Sequence, residues 1–173
     1  MQNKAILLDR DGTVNIRIVD DYVLRYGEFH FCADFPRFLC YLKSKGYLAI
    51  MISNQQCVGK KLLTAEELDS IHSAMQKQLL AETGYSFDGI YWCGDLRGSN
   101  SSRRKPEPGM IFEALRDFDI DKNASFMIGD SETDISAGKN AGVRTILIGN
   151  AETHASPDFH FSNFRELEKA AII

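Results

Sequence analysis

Short runs of apolar residues alternate along this chain with segments in which apolar residues recur every three or four positions. The short runs show no regular alternation of polar and apolar residues, which is typical of strands buried on both faces of a sheet. Five such runs occur, at residues 5–8, 48–52, 89–93, 126–128 and 143–148. Because buried strands that alternate with amphipathic helices usually pair in parallel, the pattern predicts a three-layer, doubly wound, mostly parallel sheet of the Rossmann-like α/β class.

The intervening segments carry helix boundary signals. Asp34 stands at the N-cap of one predicted helix, which Gly46 ends. Thr64 and Glu67 form a capping box for a longer helix, which ends at Gly84. Further helices are predicted after Pro106 and Pro108, over residues 131–141, and after Asn163.

Length, charge and cysteine pattern limit the class of protein. With 173 residues, the chain is expected to form one domain over residues 1–173. Its formal net charge is -4, so neither a nucleic-acid partner nor a membrane partner is expected. The four cysteines are scattered without a C-x-x-C pair, which predicts a reducing, cytoplasmic location. The apolar run near the N-terminus is too short for a signal peptide or a membrane span.

Polar and charged residues gather just beyond or beside the predicted strands. Asp9 and Asp11 follow the first strand, and Ser53 follows the second. Lys105 lies in a basic run before a helix, and Asp130 follows the fourth strand. Ligands of open parallel sheets bind beyond the carboxyl ends of the strands, so these segments are expected to meet at one edge.

Three carboxylates at one edge need a compensating cation. We expect Asp9, Asp11 and Asp130 to approach one another, and their repulsion would raise their pKa values unless positive charge lay between them. An all-oxygen set of ligands with open positions suits Mg²⁺, which also binds substrate phosphate. The sequence therefore predicts a magnesium site.

The same residues suit phosphoryl transfer, which depends mainly on positioning and charge stabilisation. Asp9 would attack phosphorus and form an aspartyl phosphate, while Asp11 would act as general acid and then as general base. The Ser53 hydroxyl and nearby backbone N–H groups would bind phosphoryl oxygens, and Lys105 would supply a fixed positive charge.

Read together, the segments D-R-D-G-T, S-N-Q, R-K-P and G-D-x-x-x-D resemble the four motifs of the haloacid dehalogenase superfamily, in order and in spacing. The gaps after the first strand and after the second helix are too short for an inserted cap domain, so the chain resembles a capless member. The resemblance implies a Mg²⁺-dependent phosphatase that acts on a small phosphorylated molecule, as a monomer or a small homo-oligomer.

Within the capless group the chain is similar to the D-glycero-D-manno-heptose 1,7-bisphosphate 7-phosphatase family. The runs that carry this resemblance are 9–15, 21–23, 53–56 and 104–110. By the resemblance Arg104 contacts the substrate and Lys105 stabilises the transferred phosphoryl group. The remaining expected substrate contacts are Asp20, Asp21, Tyr22, Ser53, Asn54 and Gln55. Histidinol-phosphate phosphatases share most of these motifs and are the nearest alternative, although the Pro-Gly-Met ending of the last run favours the heptose family.

Both families usually carry a zinc loop with a C-x-H pair and a later C-x-C pair. Here the first pair reads Cys93-Gly94-Asp95 and the second Ser101-Ser102-Arg103. One cysteine with one aspartate cannot complete a closed tetrahedral zinc site, so no zinc is expected. The loop from Asp95 to Arg103 must then be held by other contacts or be mobile.

Several residues are expected to support the site without entering the chemistry. Asp134 is expected to form a capping pair with Ser131 rather than to bind the metal directly. Four further positions belong with the motifs or with packing: Gly12, Thr13 and Gly129 support the turns, and His72 is a surface or packing residue. Two other functions stay open at this point, a receiver-type phosphoacceptor domain and a binding protein that has lost catalysis.

Overall fold

The computed structural model describes residues 2–173 and contains six strands in one sheet. The strands are β1 (Ala5–Leu8), β2 (Leu48–Asn54), β3 (Gly89–Cys93), β4 (Phe126–Gly129), β5 (Arg144–Ile148) and β6 (Phe159–Phe161). Their order across the sheet is β3-β2-β1-β4-β5-β6, and all five neighbouring pairs are parallel. The predicted doubly wound α/β sheet is thus confirmed, and among the described residues no cap domain is inserted.

Six α-helices connect and cover the strands. They are α1 (Phe35–Ser44), α2 (Gln56–Gly59), α3 (Ala65–Thr83), α4 (Gly109–Asp117), α5 (Glu132–Ala141) and α6 (Phe164–Ala170). Two short 3₁₀ helices span Tyr26–Glu28 and Lys122–Ala124. Among the described residues no helix is both long and apolar enough to cross a membrane.

The strands bury both faces of the sheet. In β1, Ile6 and Leu8 point into the core formed with α1, α3 and α6, while Ala5 and Leu7 point into the core under α4 and α5. All four side chains are fully buried. Burial of apolar surface stabilises the fold by about 25 cal/mol per Å². Because both faces of these strands are buried, apolar residues are favoured at every position, and polar residues do not alternate with them.

Most predicted boundaries agree with the structure. Thr64 and Glu67 form the expected capping box, and Asn163 caps α6 by accepting from Glu166 N. Asp34 occupies the N-cap of α1, but its carboxylate does not cap the helix and accepts from Arg165 Nε at 2.8 Å instead.

Two elements differ from the sequence expectation. Strand β2 extends to Asn54, so Ser53 and Asn54 lie inside the strand rather than after it. The edge strand β6 was not predicted, because its three residues are partly or fully exposed and form too short a run. The fold therefore places Asp9 at the centre of the sheet edge, between β2 and β4.

Candidate active site

Lys105 is the centre of the candidate site. Its Nζ atom lies 2.5 Å from Asp9 Oδ1, 2.6 Å from Asp134 Oδ1 and 2.7 Å from the carbonyl oxygen of Ile52. The Lys105 and Asp134 side chains are almost fully buried, and only 9% of the Asp9 side chain is exposed. Lys105 thus donates two hydrogen bonds, to Asp9 and to Ile52, and forms a buried ion pair with Asp134, which together hold its ammonium group as a fixed positive charge.

This buried cluster contains two carboxylates, of Asp9 and Asp134, but only one ammonium group, that of Lys105. Burial, together with the nearby Asp134 carboxylate, raises the pKa of Asp9 to about 7 although Lys105 opposes the shift. For Lys105, burial alone would lower the pKa, but the Asp134 and Asp9 carboxylates raise it above its usual value. One ammonium shared by two carboxylates stays charged, and Asp9 needs a further cation to be fully ionised at neutral pH.

Asp11 lies in a different environment. Arg10 Nε and Nη2 donate to its two carboxylate oxygens at 3.1 Å each, Gln55 Nε2 donates at 2.7 Å and Asn15 Nδ2 at 3.1 Å. Burial alone would raise the pKa of Asp11, but the Arg10 guanidinium and these hydrogen bonds lower it overall. The two neighbouring aspartates therefore have pKa values shifted in opposite directions. Each shift is the reverse of what an ionised nucleophile and a protonated general acid need, so bound cation and substrate must counteract both.

His72 completes the support of Asp11 from behind. Arg10 is 1% exposed, and its Nη1 atom donates to His72 Nε2 at 3.2 Å. Burial, with the Arg10 charge, lowers the pKa of His72 to about 3, so the imidazole is neutral. Of the two sequence interpretations of His72, surface residue or packing residue, the structure supports the second.

The Arg17 side chain bridges the Asp130 carboxylate and the main chain of Asp11. Arg17 Nη2 donates to Asp130 Oδ1 at 2.9 Å and to the main-chain carbonyl of Asp11 at 2.8 Å. Burial raises the pKa of Asp130 to about 6, although Arg17 opposes the shift. Arg17, Arg10 and Asn15 carry no motif that marks them in the sequence, because only the three-dimensional arrangement shows what their side chains contact.

Two glycines make this close packing possible. Gly12 has a φ of +104°, and a Cβ there would lie 1.9 Å from Asp130 Oδ2. A Cβ on Gly129 would lie 2.2 Å from the Asp134 Cβ. Both positions therefore require glycine for Asp130 and Asp134 to approach the first strand. Thr13 is buried in the same turn as Gly12.

Asp134 has two roles in the structure. Its Oδ2 atom accepts from Ser131 N at 3.1 Å and from Ser131 Oγ at 2.5 Å, as expected of a capping pair at the start of α5. Its other oxygen, Oδ1, contacts Lys105. Asp134 therefore ties the first turn of α5 to Lys105, which the capping pattern alone did not predict.

The Ser53-Asn54-Gln55 segment positions its neighbours. Gln55 Nε2 donates to Ser53 Oγ as well as to Asp11, at 2.7 Å in both cases. The Asn54 amide exchanges two hydrogen bonds of 3.0 Å with the backbone of Lys105. The amides of Asn54 and Gln55, predicted as substrate contacts, are thus engaged within the protein, and they align Lys105, Ser53 and Asp11.

A pocket of about 740 Å³ opens beside Asp11. Its lining includes the three residues predicted to touch the sugar, Asp20, Asp21 and Tyr22, together with Arg17 and Arg104. The Tyr22 hydroxyl accepts from Gln56 Nε2 at 2.8 Å and from Lys60 Nζ at 2.9 Å, which anchors this wall of the pocket to α2. Arg104 donates to the carbonyl of Asp95 at 2.8 Å and faces the same space.

Hydrogen bonds connect Cys93, Asp95 and Ser101, which stand where related proteins carry a zinc loop. Cys93 Sγ donates to Asp95 Oδ2 at 3.4 Å and lies 3.7 Å from Ser101 Oγ. Hydrogen bonds from Ser101 and Cys93 lower the pKa of Asp95. Arg103 pairs with Glu113 through two contacts of 2.8 and 3.0 Å. One cysteine, one carboxylate and one hydroxyl do not form the nitrogen and sulfur set that structural zinc prefers.

The acidic cluster at the sheet edge fits a magnesium ion. Oxygen atoms of Asp9, Asp130 and Asp134 lie within 4.8 Å of one another, the one such group of metal-ligating side chains among residues 2–173. Asp11, predicted as a third metal ligand, contributes no side-chain oxygen to this group, whereas its main-chain carbonyl and Asp130 Oδ1 accept from the same Arg17 nitrogen. Hard oxygen donors with excess negative charge suit Mg²⁺ better than softer metals.

Sequence comparisons agree with this chemistry. The HAD-hydrolase-like family model matches residues 102–167. The chain is 37% identical to the D-glycero-beta-D-manno-heptose-1,7-bisphosphate 7-phosphatase of Helicobacter pylori over 84% of this chain and 83% of that protein. It is 39% identical to the D-glycero-alpha-D-manno-heptose-1,7-bisphosphate 7-phosphatase of Burkholderia mallei, over 86% of this chain and 80% of the relative.

Solved structures show the same fold. A D,D-heptose 1,7-bisphosphate phosphatase from B. bronchiseptica, crystallised with magnesium and phosphate, superposes with a TM-score of 0.84 at 25% identity. That match covers 97% of this chain and 99% of the other. The haloacid dehalogenase fold and the phosphatase activity inferred from the motifs are thereby confirmed, and the chain belongs to the D-glycero-D-manno-heptose-1,7-bisphosphate 7-phosphatase family of that superfamily.

Proposed function

We propose that this phosphatase removes the 7-phosphate of D-glycero-D-manno-heptose 1,7-bisphosphate through an aspartyl phosphate on Asp9. The observation that carries the proposal is the buried contact between Lys105 and Asp9, which orients one carboxylate at the sheet edge beside a second, differently tuned carboxylate. The names of the relatives at 37% and 39% identity support the substrate. Because one is named for the beta anomer and the other for the alpha anomer, they leave the anomer open.

In the first half of the reaction, an Asp9 oxygen forms a bond to the 7-phosphorus and the bond from phosphorus to the sugar oxygen breaks. Asp11 gives its proton to the departing sugar oxygen. Four N–H donors favour the ionised form of Asp11, so it must gain a proton before this step. The negative charge of an incoming phosphate raises the pKa of a neighbouring carboxyl, which favours that proton uptake.

In the second half, Asp11 is ionised and accepts a proton from a water molecule. That water attacks phosphorus, the bond to Asp9 breaks, and inorganic phosphate leaves. Ser53 is 1% exposed and its hydroxyl accepts from Gln55, so its own proton is free to reach a phosphoryl oxygen. Lys105 stabilises the charge on the transferred group from a fixed position.

A magnesium ion would be held by the carboxylates of Asp9 and Asp130 and by the backbone carbonyl of Asp11. When bound, it supplies positive charge that ionises Asp9 and offsets repulsion between the carboxylates and the phosphoryl group. Asp134 stays with Lys105 and Ser131 in this proposal, since its Oδ1 forms an ion pair with the Lys105 ammonium and its Oδ2 accepts from Ser131.

The sugar would occupy the pocket beside Asp11. Arg104 and Arg17 provide positive charge there, which suits a substrate that retains a second phosphate. Tyr22 supplies an aromatic wall held in place by Gln56 and Lys60.

Three further expectations stay as proposals. We propose that residues 1–173 act as one phosphatase domain without zinc, because the hydrogen bonds among Cys93, Asp95 and Ser101 replace metal ligands in the loop. We also propose a cytoplasmic location, with which four unpaired cysteines are consistent. The partner would be a small phosphorylated sugar.

Comparison of substrates tests the proposed function. We expect kcat/KM with Mg²⁺ to be highest for one anomer of heptose 1,7-bisphosphate, and lower for histidinol phosphate and for simple sugar monophosphates. A preference for histidinol phosphate by more than about tenfold, roughly 1.4 kcal/mol of transition-state stabilisation, would overturn the substrate assignment. Such a result would leave the phosphatase chemistry intact.

A further inference from the structure

The Arg17 guanidinium contacts two of the oxygen atoms that we propose as magnesium ligands. The side chain approaches from the loop after β1, and Nη2 lies 2.8 Å from the Asp11 carbonyl oxygen and 2.9 Å from Asp130 Oδ1. Its Nε atom also donates to the Asp11 carbonyl, at 3.0 Å. Both oxygens are the ones assigned above to magnesium, so a single guanidinium bridges two of the three proposed ligand atoms.

The guanidinium and the metal cannot bind these oxygens together. Mg²⁺ requires its ligands at about 2.0–2.1 Å in near-octahedral geometry. A nitrogen already within 2.9 Å of both oxygens fills the space between them. The guanidinium and Mg²⁺ would each neutralise the same excess of negative charge, so binding of one weakens the electrostatic attraction for the other.

The surroundings of Arg17 allow it to leave. About half of its side chain is exposed, whereas Asp130 is 19% exposed. Arg17 also lines the 740 Å³ pocket, where the Asp20 and Asp21 carboxylates offer alternative partners. The movement therefore requires rotation of one long side chain and no rearrangement of the sheet.

We propose that Arg17 is a tethered cation that competes with Mg²⁺ for the Asp11 carbonyl and Asp130, and that it moves into the substrate pocket when the metal binds. The inference rests on the proposed magnesium site and adds a residue that sets its affinity. If the Arg17 side chain contacted Asp130 and the Asp11 carbonyl for about nine-tenths of the time, the apparent dissociation constant for Mg²⁺ would be about tenfold larger than that of the site without Arg17.

Direct metal binding to the full chain tests the inference without turnover. Mg²⁺ binding would be measured by calorimetry, and Mn²⁺ binding by electron paramagnetic resonance, on metal-stripped protein at fixed ionic strength. We expect Arg17→Ala to bind both ions about 3- to 10-fold more tightly than the wild type. Arg17→Lys, which keeps the charge, should lie between the two.

Arg25→Ala is the matched control. It removes the same charge from the same loop, but Arg25 is 81% exposed and its one ion pair among residues 2–173 is with Glu28. Its metal affinity should equal that of the wild type. Thermal unfolding in EDTA provides a second readout, since Arg17→Ala should lower the unfolding temperature of the metal-free protein and increase the stabilisation that Mg²⁺ gives.

The possible outcomes separate the two proposals. Unchanged or weaker metal binding by Arg17→Ala, with normal binding by the wild type, would overturn the role of Arg17 and leave the magnesium site standing. Equal tightening by Arg25→Ala would also overturn it, because net charge alone would then explain the effect. Failure of the wild type to bind either ion would overturn both proposals.

Discussion

The Nζ atom of Lys105 lies 2.5 Å from Oδ1 of Asp9, although 96 residues separate them in the chain. This contact exists because the loop before α4 crosses the sheet edge where β1 ends, and Asn54 holds the Lys105 backbone there with two hydrogen bonds. The carboxylate that we propose as the nucleophile is thereby oriented and partly neutralised within the protein before any substrate arrives.

Replacing Lys105 by Met should reduce both catalysis and stability. Loss of a preorganised charge at the transferred group is expected to lower kcat/KM by on the order of 10²–10³-fold. The buried carboxylates of Asp9 and Asp134 would lose their shared partner, at a cost of about 3 kcal/mol in the free energy of unfolding. Steady-state kinetics and urea unfolding measure the two effects. Arg103→Met removes the same charge from a partly exposed pair with Glu113 and should change both quantities less than Lys105→Met does. An equal loss there would contradict the special role of Lys105.

At low magnesium concentration, kcat/KM should decrease as the pH is lowered below about 7. Burial and the Asp134 carboxylate raise the pKa of Asp9 to about 7, so the nucleophile becomes protonated as pH falls below that value. A divalent cation favours the ionised form and lowers this pKa. The acid limb of the kcat/KM profile should therefore move to lower pH as Mg²⁺ is raised from limiting to saturating concentration. An acid limb that stays at one pH at every metal concentration would contradict this account of Asp9.

His72 should make the fold less stable in acid. Its pKa is lowered from 6.5 to about 3, so between these values the unfolded chain binds a proton that the folded chain does not. The free energy of unfolding should then decrease as pH falls through this window, by up to about 1.4 kcal/mol per pH unit. Asp9, with its raised pKa, acts in the opposite direction, but it is present in both proteins of the comparison.

Urea unfolding of the wild type and His72→Gln, in EDTA at several pH values from 6 to 4, isolates the histidine. Gln keeps an acceptor for Arg10 and does not titrate. The variant should show a weaker dependence of stability on pH than the wild type. Parallel curves for the two proteins would mean that His72 is not held neutral by burial.

Gln55 and Gln56 are adjacent but should affect different kinetic constants. Gln55 donates to Asp11 and Ser53, so Gln55→Leu should lower kcat by on the order of 10- to 100-fold through misalignment of the acid–base group. Gln56 donates to Tyr22 in the pocket wall, so Gln56→Leu should chiefly raise KM. Steady-state kinetics on the same substrate separates the two, and a loss of kcat confined to Gln56→Leu would reverse the assignment.

The sequence predicted the parts of the molecule that depend on local patterns. Five of the six strands and the Thr64 capping box follow from apolar runs and from side-chain to backbone pairing, both visible over a few residues. Strand β6 escaped because its half-exposed edge position weakens the apolar signal. Motif order also predicted that Asp9, Lys105 and Asp130 meet, since parallel strands bring their carboxyl ends to one edge.

The contacts that distinguish the two aspartates were beyond sequence reasoning. Arg10 is an arginine at a position that looks exposed in a turn, yet it is 1% exposed and joins Asp11 to His72. Arginine is rarely buried unless it is paired, and Arg10 is paired with Asp11 next to it in the chain and with His72 of α3, a contact that only the packing of α3 against the first loop creates. Likewise, nothing in the sequence separates Arg17 from Arg25, although only Arg17 reaches Asp130.

Rapid quenching during turnover tests the central claim, that Asp9 carries the phosphoryl group. The enzyme would be mixed with Mg²⁺ and heptose 1,7-bisphosphate, quenched in acid within milliseconds, digested, and analysed by mass spectrometry. We expect one added phosphoryl group on the peptide that contains Asp9, and neither label nor turnover in Asp9→Asn. A label on any other residue, or turnover by Asp9→Asn equal to that of the wild type, would contradict it.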